Sequence, residues 1–589
     1  MSDAPVVAPV PLTHRQILVV FSGLMAGMLL AALDQTIVST ALPTIVGELG
    51  GLDHLSWVVT AYLLTTTAST PLYGKLSDIY GRRLMFQAAI AIFVIGSMLC
   101  GLSQGMLQLV VFRGIQGIGA GGLMAMAFAI IGDIVSPRER GRYTGYLGAV
   151  FAVASVAGPL LGGFFVDNLS WRWVFYVNVP IGVVALVITS SVLRLPFVRR
   201  DHAIDYAGAA LLVAAVSTLL LALVWGGREY PWDSPTIIGL FAASAVLTGL
   251  FMWWEHRTAE PILPLRLFAG RVFSTGVALS FLLGAAMFGA IVFLPLFLQV
   301  ATGASATNSG LLLLPLMAGL MATSITSGRV IARTGHYKKW PVAGMAIAAA
   351  GMFLLSTMDP ATSRLTSSLY MVVVGVGLGM VMQVLVLAVQ NGAEFSDLGV
   401  ATSSVNFFRS LGGSFGVSVS GIVFATLLDD KLAELIPQGA LSGTGLNPDS
   451  LTASPAQIHA LPPEVLGPVT TAMADSITAV FLLVVPLLVL GVVLAVLMPE
   501  LPLKDTAHIG ATLEGAEITG TCDAAGGHAV VAQGRSGARP VRSSMTMVMK
   551  AAGSWKPRAL ARMRPMEALL DSAIPLVRRH SMVASIEAR

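Results

Sequence analysis

Long apolar runs recur along the chain as far as about residue 500, and short segments rich in Gly, Pro, Lys and Arg separate them. Each run has roughly 20 residues, enough for a helix to cross a hydrocarbon core of about 30 Å. Backbone groups inside a bilayer can bond only to protein, so every run is expected to be helical. The pattern predicts fourteen spans, at residues 17–42, 55–74, 84–104, 107–132, 142–166, 173–193, 205–226, 236–255, 272–300, 307–328, 340–358, 367–391, 399–427 and 476–498.

The basic residues of the loops indicate which side of the membrane each loop faces. If the N-terminus is cytoplasmic, the fourteen spans place most of the loop Lys and Arg on the inner side, as the positive-inside rule requires. We therefore expect a multi-pass protein of the cytoplasmic membrane with both termini in the cytoplasm. A miscounted span would disturb this alternation, which supports the number fourteen.

A glycine-containing segment recurs in the two halves of the chain. GKLSDIYGRR (74–83) follows the second predicted helix, and GRVIARTGHYKK (328–339) follows the tenth; each has two glycines seven residues apart with basic residues after them. Parallel repeats of this kind build transporters in which two bundles rock about a central substrate site. The predicted organisation is an N-terminal cytoplasmic segment 1–16, a six-helix bundle 17–200, an inserted helical pair 201–260, a second six-helix bundle 261–500 with a long outside loop 428–475, and a cytoplasmic, disordered tail 501–589.

Composition excludes several classes of protein. Only 11% of the 589 residues are charged and 55% are hydrophobic, with a mean hydropathy of +0.80, whereas about a quarter of a soluble chain is charged. The formal charge of +4 therefore reflects loop topology, and we expect no nucleic-acid partner. The chain has no phosphate-binding loop, metal-ligand motif or nucleophile motif, and its two cysteines form no disulfide framework. We expect no enzyme activity, no cofactor and no metal.

Two charges lie inside predicted spans. Asp34 is in ALDQTIVSTALP of the first helix, and Arg113 is in FRGIQGIGAGG of the fourth. A charged residue at the centre of a span costs about 2.5–3.5 kcal/mol unless it is paired or faces water. Desolvation favours the protonated form of a carboxyl and a guanidinium opposes it, so an acid whose surroundings change can carry a proton. We predict Asp34 as the proton carrier and Arg113 as its electrostatic counterpart, with contact between them left open.

Small residues mark two further segments. In the first repeat, we expect six residues to form a turn and a charged latch that gates movement: Gly74, Lys75, Asp78, Gly81, Arg82 and Arg83. In the fifth helix, four residues of GPLLGG are expected to give a smooth, kinked surface for sliding: Gly158, Pro159, Gly162 and Gly163. The alternatives are a loop that only fixes orientation and glycines that only pack.

The substrate cavity is expected to be largely apolar with a few polar groups. The candidates within the spans are Gln35, Gln116, Phe288, Gln299, Gln383, Asn406 and Arg409. Such residues also bridge helices without any role in binding. Apolar walls with one acid favour lipophilic compounds that are neutral or carry one positive charge.

The order of these motifs resembles a known family. LDQTIVSTALP, GKLSDIYGRR, RGIQGIGAGG, GPLLGG and WRWVFYVNVPIG (171–182) are similar to the motifs of the major facilitator superfamily, in its fourteen-span drug:proton antiporter subfamily of the EmrB/QacA type. The resemblance covers about residues 15–500 and implies an all-α major facilitator fold. It aligns Asp34 with the family's helix-one acid and Arg113 with its proton-relay arginine. The tenth helix lacks the acid that some relatives use for dications.

The resemblance implies proton-coupled export of lipophilic drugs or antibiotics. The expected partners are the small-molecule substrate, protons and membrane lipids, and the protein is expected to act as a monomer. Two other functions stay open at this point. One is export or flipping of an endogenous lipid or amphiphile on the same fold, and the other is a membrane sensor whose working part is the tail 501–589.

Overall fold

The computed structural model describes residues 14–49, 55–135, 150, 153–154, 157–192, 205–227, 229–302, 312–394, 397–435 and 463–504, all within the unit Met1–Gly520. These residues are almost entirely helical. The helices are α1 (His14–Leu49), α2 (Leu55–Tyr80), α3 (Arg82–Leu102), α4 (Met106–Ile134), α5 (157–168), α6 (Trp173–Tyr176), α7 (Asn178–Val192), α8 (Tyr206–Trp225), α9 (Pro235–Arg257), α10 (Arg266–Ala269), α11 (Arg271–Thr302), α12 (Leu314–Thr334), α13 (Lys339–Ser356), α14 (Arg364–Gly392), α15 (Leu398–Leu435) and α16 (Pro463–Leu497).

Twelve helical segments of the described chain are long and apolar enough to cross a membrane. The predicted count of fourteen is therefore not confirmed. The two predicted spans that are not among the twelve are 55–74 and 142–166. The first lies in α2, a 26-residue helix that the run TTTAST (65–70) makes more polar, and the second lies only partly within the described residues.

In the first half of the chain, α2 and α3 pack against α4, while α1 and α3 pack against α7. Glycines on α4 allow this close approach: a Cβ at Gly117 would lie 2.5 Å from the Tyr62 carbonyl oxygen, and one at Gly119 would lie 2.7 Å from that of Ala89. The hydrophobic effect does not drive helices together in lipid, so their association depends on close van der Waals packing, which small residues allow. The small residues of α4 thus place it centrally among the first helices.

The second half shows a matching set of contacts. Helices α12 and α13 pack against α14, α11 packs against α15, and α16 lies on α11 and α13. Glycines again mediate the approach: a Cβ at Gly377 of α14 would lie 2.7 Å from the Gly344 carbonyl oxygen of α13. The α12–α14 and α13–α14 contacts mirror α2–α4 and α3–α4. The exact division into six-helix bundles stays a prediction.

Helices α8 and α9 pack against each other, and α8 also contacts α2 and α15, one helix from each half. The start of α8 is tied to α9, because Trp254 Nε1 donates to Asp205 Oδ1 at 2.8 Å. The buried carboxylate of Glu255 accepts from the backbone N–H groups of Ile262 and Leu263, at 3.2 and 3.3 Å. The connection from the inserted pair into the second half is therefore held in place.

The segment after α16 is bound to the ends of α12, α13 and α14. Glu500 Oε1 accepts from the Tyr337 N–H at 2.9 Å, and Asn391 exchanges hydrogen bonds with Pro502 and Lys504, at 3.1 and 3.0 Å. Glu500 thus supplies an acid at the second repeat, where Ala332 replaces Asp78. Residues 501–504, assigned to the tail from sequence, contact the helices, whereas 505–589 lie outside the described residues.

Candidate functional site

The two charges expected from sequence lie in direct contact. Arg113 Nη1 of α4 donates to Asp34 Oδ2 of α1 at 2.5 Å, and neither side chain is more than 2% exposed. Gln116, one turn after Arg113, donates from Nε2 to Asp34 Oδ1 at 2.8 Å and accepts from Arg113 at 2.9 Å. Gln116, a predicted cavity residue, is therefore part of the ion-pair site.

Two residues that the sequence did not single out complete this site. Asn178, the first residue of α7, donates from Nδ2 to Asp34 Oδ1 at 3.1 Å and to Ser97 Oγ at 3.0 Å. The guanidinium of Arg113 lies over the Tyr62 ring, 4.1 Å from its centroid. The sequence offered one signal for Asn178, because WRWVFYVNVPIG places a polar Asn within a predicted span. The site therefore joins α1, α2, α3, α4 and α7.

Both oxygens of the Asp34 carboxylate are engaged by donors in this conformation. The two charges cancel, and their interaction is strong because water is excluded. Arg113 Nε and Asn178 Oδ1 are buried without a hydrogen-bond partner. A proton or a cationic ligand would have to displace a donor before it could bind the carboxylate. The carboxylate is thus closed to other partners unless one of these donors moves.

The GPLLGG helix packs beside this site. A Cβ at Gly158 of α5 would lie 2.5 Å from Thr36 Cβ, and one at Gly162 would lie 2.9 Å from the Ile37 carbonyl oxygen. At Gly163, no heavy atom of another described helix lies within 4 Å of the Cβ position, and Pro159 is half-buried. The predicted kink at Pro159 depends on residue 155, which lies outside the described residues. Gly158 and Gly162 thus contact the helix that carries Asp34.

The segment 74–83 forms a second charged cluster. Arg82 donates from Nη1 to Asp78 Oδ1 at 2.6 Å and from Nε to Asp133 Oδ2 at 2.7 Å. It also donates to the Ser77 hydroxyl. Asp133, at the end of α4, was missed because the predicted span stopped at residue 132. Asp78, Arg82 and Asp133 therefore form an ion-pair network between α2, α3 and α4; the gating role predicted for this segment stays a prediction.

This network touches the second half of the chain. A Cβ at Gly399 of α15 would lie 2.5 Å from Asp78 Oδ1, and one at Gly74 would lie 2.9 Å from the Gly399 carbonyl oxygen. Burial raises the pKa of Asp78 to about 6, and the nearby Arg82 opposes that rise. Helices α2 and α15 therefore meet closely at the end of the protein that carries the 74–83 segment.

The remaining residues of this segment have separate positions. Gly81 joins α2 to α3 with φ 92°, a conformation that favours glycine. Arg83 donates from Nη2 to the Ser190 carbonyl oxygen at 2.8 Å, which ties α3 to α7. Lys75 is half-buried. Arg83 is thus separate from the Asp78 network.

The other predicted cavity residues do not converge on one place. Gln35 is exposed and Gln299 is half-buried. Gln383 lines a small cavity between α4, α12 and α14, and its Oε1 has no hydrogen-bond partner. Phe288 of α11 packs against Gly413 of α15: a Cβ at Gly413 would lie 2.6 Å from Phe288 Cδ2. Gly413 is one turn after Arg409. Arg409 donates from Nη2 to Asn406 Oδ1, so these two predicted residues lie on adjacent turns of α15, and Phe288 packs against the next turn.

The sequence matches known proteins over most of its length. Residues 24–417 match the family model described as Major Facilitator Superfamily. With its helices long and apolar enough to span a membrane, the protein is a multi-pass membrane transporter and not an enzyme. The chain belongs to the major facilitator superfamily.

Relatives and solved structures agree with this assignment. The multidrug transporter protein MdtP of Bacillus subtilis is 38% identical over 509 residues, which cover 82% of this chain and 93% of that protein. An MFS-type transporter of Mycobacterium tuberculosis, Rv1877, is 46% identical over 506 residues, 86% of this chain and 72% of that one. The structure of the proton:xylose symporter XylE has a TM-score of 0.55 at 15% identity and covers 85% of this chain and 99% of its own. The latter likeness concerns the fold alone.

Proposed function

We propose that this transporter exports lipophilic drugs or antibiotics across the cytoplasmic membrane in exchange for protons. In this proposal it has fourteen spans, as in the EmrB/QacA-type subfamily, with both termini in the cytoplasm. The two halves alternate access to a cavity between them. The similarity to multidrug transporters of Bacillus subtilis supports export of this kind.

The observation that carries the proposal is the buried contact between Asp34 and Arg113, 2.5 Å from Oδ2 to Nη1. A buried ion pair is weak evidence of stability, because desolvation offsets much of its attraction. Its value to a transporter is that a proton can replace the guanidinium as the partner of the carboxylate. We infer that Arg113 withdraws in the opposite access state, where Asp34 takes up a proton.

The contacts of the 74–83 segment supply the conformational part of the proposal. Close packing of Gly74 against the Gly399 backbone brings the halves together at one end. If that end is cytoplasmic, the conformation described is closed to the cytoplasm. Separation of α2 from α15 would then open the cavity inward. The ion pairs of Arg82 with Asp78 and Asp133 hold α2, α3 and α4 together during this movement.

The test uses the purified full-length protein in proteoliposomes with an imposed pH gradient, measuring dye efflux and proton counterflow together. We expect Asp34→Asn to abolish proton-driven efflux while the protein stays folded. The matched control is Asp233→Asn, which changes an exposed loop acid and should transport like wild type. Full proton-driven efflux by the Asp34 variant would contradict the mechanism.

The alternatives are tested in the same vesicles. Truncation after Lys504 removes 505–589 but keeps the hydrogen bonds that Lys504 and Glu500 make to the helices. Intact efflux by that protein would exclude a sensor whose working part is the tail. Movement of a fluorescent phospholipid between leaflets, without dye efflux, would favour the flippase function instead.

A further inference from the structure

Arg409 is a buried cation that has no counterion among the described residues. It lies in α15 and its side chain is among the buried polar groups, at 8% exposed. The ion pairs formed by the described residues do not include it. Its Nη1 is buried and has no hydrogen-bond partner. A charge inside a span is costly and therefore indicates a functional partner.

The contrast with Arg113 shows what is missing. Arg113 has a carboxylate, an amide and an aromatic ring around it. Arg409 has one polar contact of this kind, from Nη2 to Asn406 Oδ1. Asn406 is itself fixed, since its Nδ2 donates to the Thr402 carbonyl oxygen at 3.1 Å. One end of the guanidinium is thus held by Asn406, while Nη1 is buried without a hydrogen-bond partner.

None of the described acids forms an ion pair with Arg409. Asp34 is bound by Arg113, and Asp78 and Asp133 are bound by Arg82. Asp397, just before α15, is bound by Arg266 at 3.0 Å. The missing anion is therefore expected to come from a ligand.

The surroundings of Arg409 indicate the chemistry of that ligand. Gly413, one turn further along α15, lies against the ring of Phe288, which is only half-buried. An aromatic ring one turn from a guanidinium that has no described carboxylate partner suits a molecule with a lipophilic body and one anionic group. Guanidinium groups bind carboxylate, sulfonate and phosphate oxygens with charge-assisted hydrogen bonds.

We propose that Arg409 Nη1 binds the anionic group of an amphiphilic substrate whose apolar part lies against Phe288. This inference rests on the proposed export function and narrows its substrate class. It also departs from the neutral or singly cationic cargo that apolar walls with one acid favoured, because the Asp34 carboxylate is already saturated by protein donors in this conformation. Arg409, by contrast, forms no ion pair with a described acid.

The experiment compares two fluorescent probes of nearly the same shape, 1-anilinonaphthalene-8-sulfonate and its uncharged analogue N-phenyl-1-naphthylamine. Each is titrated into the full-length protein in nanodiscs, with empty nanodiscs subtracted. We expect Arg409→Gln to weaken binding of the sulfonate at least tenfold and to change binding of the neutral probe less than twofold. Arg409→Lys keeps the charge and should give an intermediate sulfonate affinity.

The matched control is Arg271→Gln, which removes an exposed arginine at the start of α11 in the same half; wild-type affinity for both probes is expected. If Arg409→Gln weakens binding of both probes equally, Arg409 has a structural role and the proposal is overturned. Unchanged affinity for the sulfonate would also overturn it. If Arg409→Gln does not fold, Arg409→Lys decides: its sulfonate affinity must fall relative to that for the neutral probe.

Equilibrium binding does not depend on a proton gradient, so the two proposals can fail separately. Sulfonate binding that requires Arg409, without proton-driven efflux of any dye, would contradict only the proposed coupling. Proton-driven efflux that requires Asp34, with sulfonate binding unaffected by Arg409→Gln, would contradict only the anionic substrate class.

Discussion

The carboxylate of Asp34 is held by donors from three different side chains. Arg113, Gln116 and Asn178 contribute one hydrogen bond each, at 2.5, 2.8 and 3.1 Å. Each of these hydrogen bonds would have to be broken or rearranged before the carboxylate could bind another partner. The proton uptake proposed at this position would therefore require movement of α4 and α7 relative to α1.

A double-mutant cycle tests that linkage at the residue level. Arg113→Gln alone leaves a buried carboxylate without a counterion, which costs about 3–5 kcal/mol. Adding Asp34→Asn removes the uncompensated charge, so the double variant should recover most of that loss. The measurement is thermal unfolding of the four proteins in detergent. Additive losses in the double variant would show that the two side chains do not interact.

The sequence predicted part of this site for a physical reason. Charges inside a span are costly, so Asp34 and Arg113 each required a partner and each was the best partner for the other. Asn178 and Tyr62 carry no comparable cost within a span, so the only signal was the presence of an Asn in a predicted span, and Tyr62 had none. Gln35 and Gln299 were expected to line the cavity; Gln35 is exposed and Gln299 half-buried, and their role stays a prediction, because the facing of a lone Gln depends on helix rotation.

At the scale of helices, the two consecutive glycines of GPLLGG have different surroundings. A Cβ at Gly162 would lie 2.9 Å from the Ile37 carbonyl oxygen and against the Thr40 hydroxyl, whereas the Cβ position of Gly163 is open. Gly162→Ala should push α5 away from α1 and lower stability by about 1–3 kcal/mol. Gly163→Ala should leave stability and transport unchanged. Thermal unfolding measures the stability of each variant, and dye efflux measures its transport. Equal behaviour of the two variants would contradict this packing.

Helix ends differ from the hydropathy pattern more than helix positions do. The span predicted at 476–498 belongs to α16, which begins at Pro463, and the span predicted at 399–427 belongs to α15, which ends at Leu435. Hydropathy marks the part of a helix that lies in hydrocarbon, while backbone hydrogen bonding lets the helix continue into water. For the same reason α2, predicted as a span at 55–74, continues to Tyr80.

At the scale of the whole molecule, the contact between α2 and α15 defines one conformation of the transport cycle. The Asp78 carboxyl lies in that contact, near Gly399. Burial raises its pKa to about 6, whereas a solvated aspartate has a pKa of about 3.9. If separation of the halves exposes Asp78 to water, the closed contact binds a proton more readily than the open one.

This difference predicts how closure depends on pH. Because the pKa is raised in the closed form, protonation stabilises closure fully below about pH 4, and that contribution is lost as pH rises through about 6. The two-unit difference corresponds to a shift of tens of fold in the closed-to-open ratio between pH 7 and pH 4. Spin labels at Tyr80→Cys and Thr334→Cys, both exposed, in a background with Cys100 and Cys522 replaced by Ser, report the distance between the halves.

Asp78→Asn separates this effect from other titrating groups. The variant keeps the shape of the side chain but cannot bind the proton, so the label distance should lose most of its dependence on pH between 4 and 7. Asp359→Asn, an exposed acid between α13 and α14, should retain the wild-type profile. A pH profile that is the same in the Asp78 variant and in wild type would show that closure does not depend on Asp78. The ion pair of Arg82 with Asp133 would then hold α3 to α4 without sensing protons.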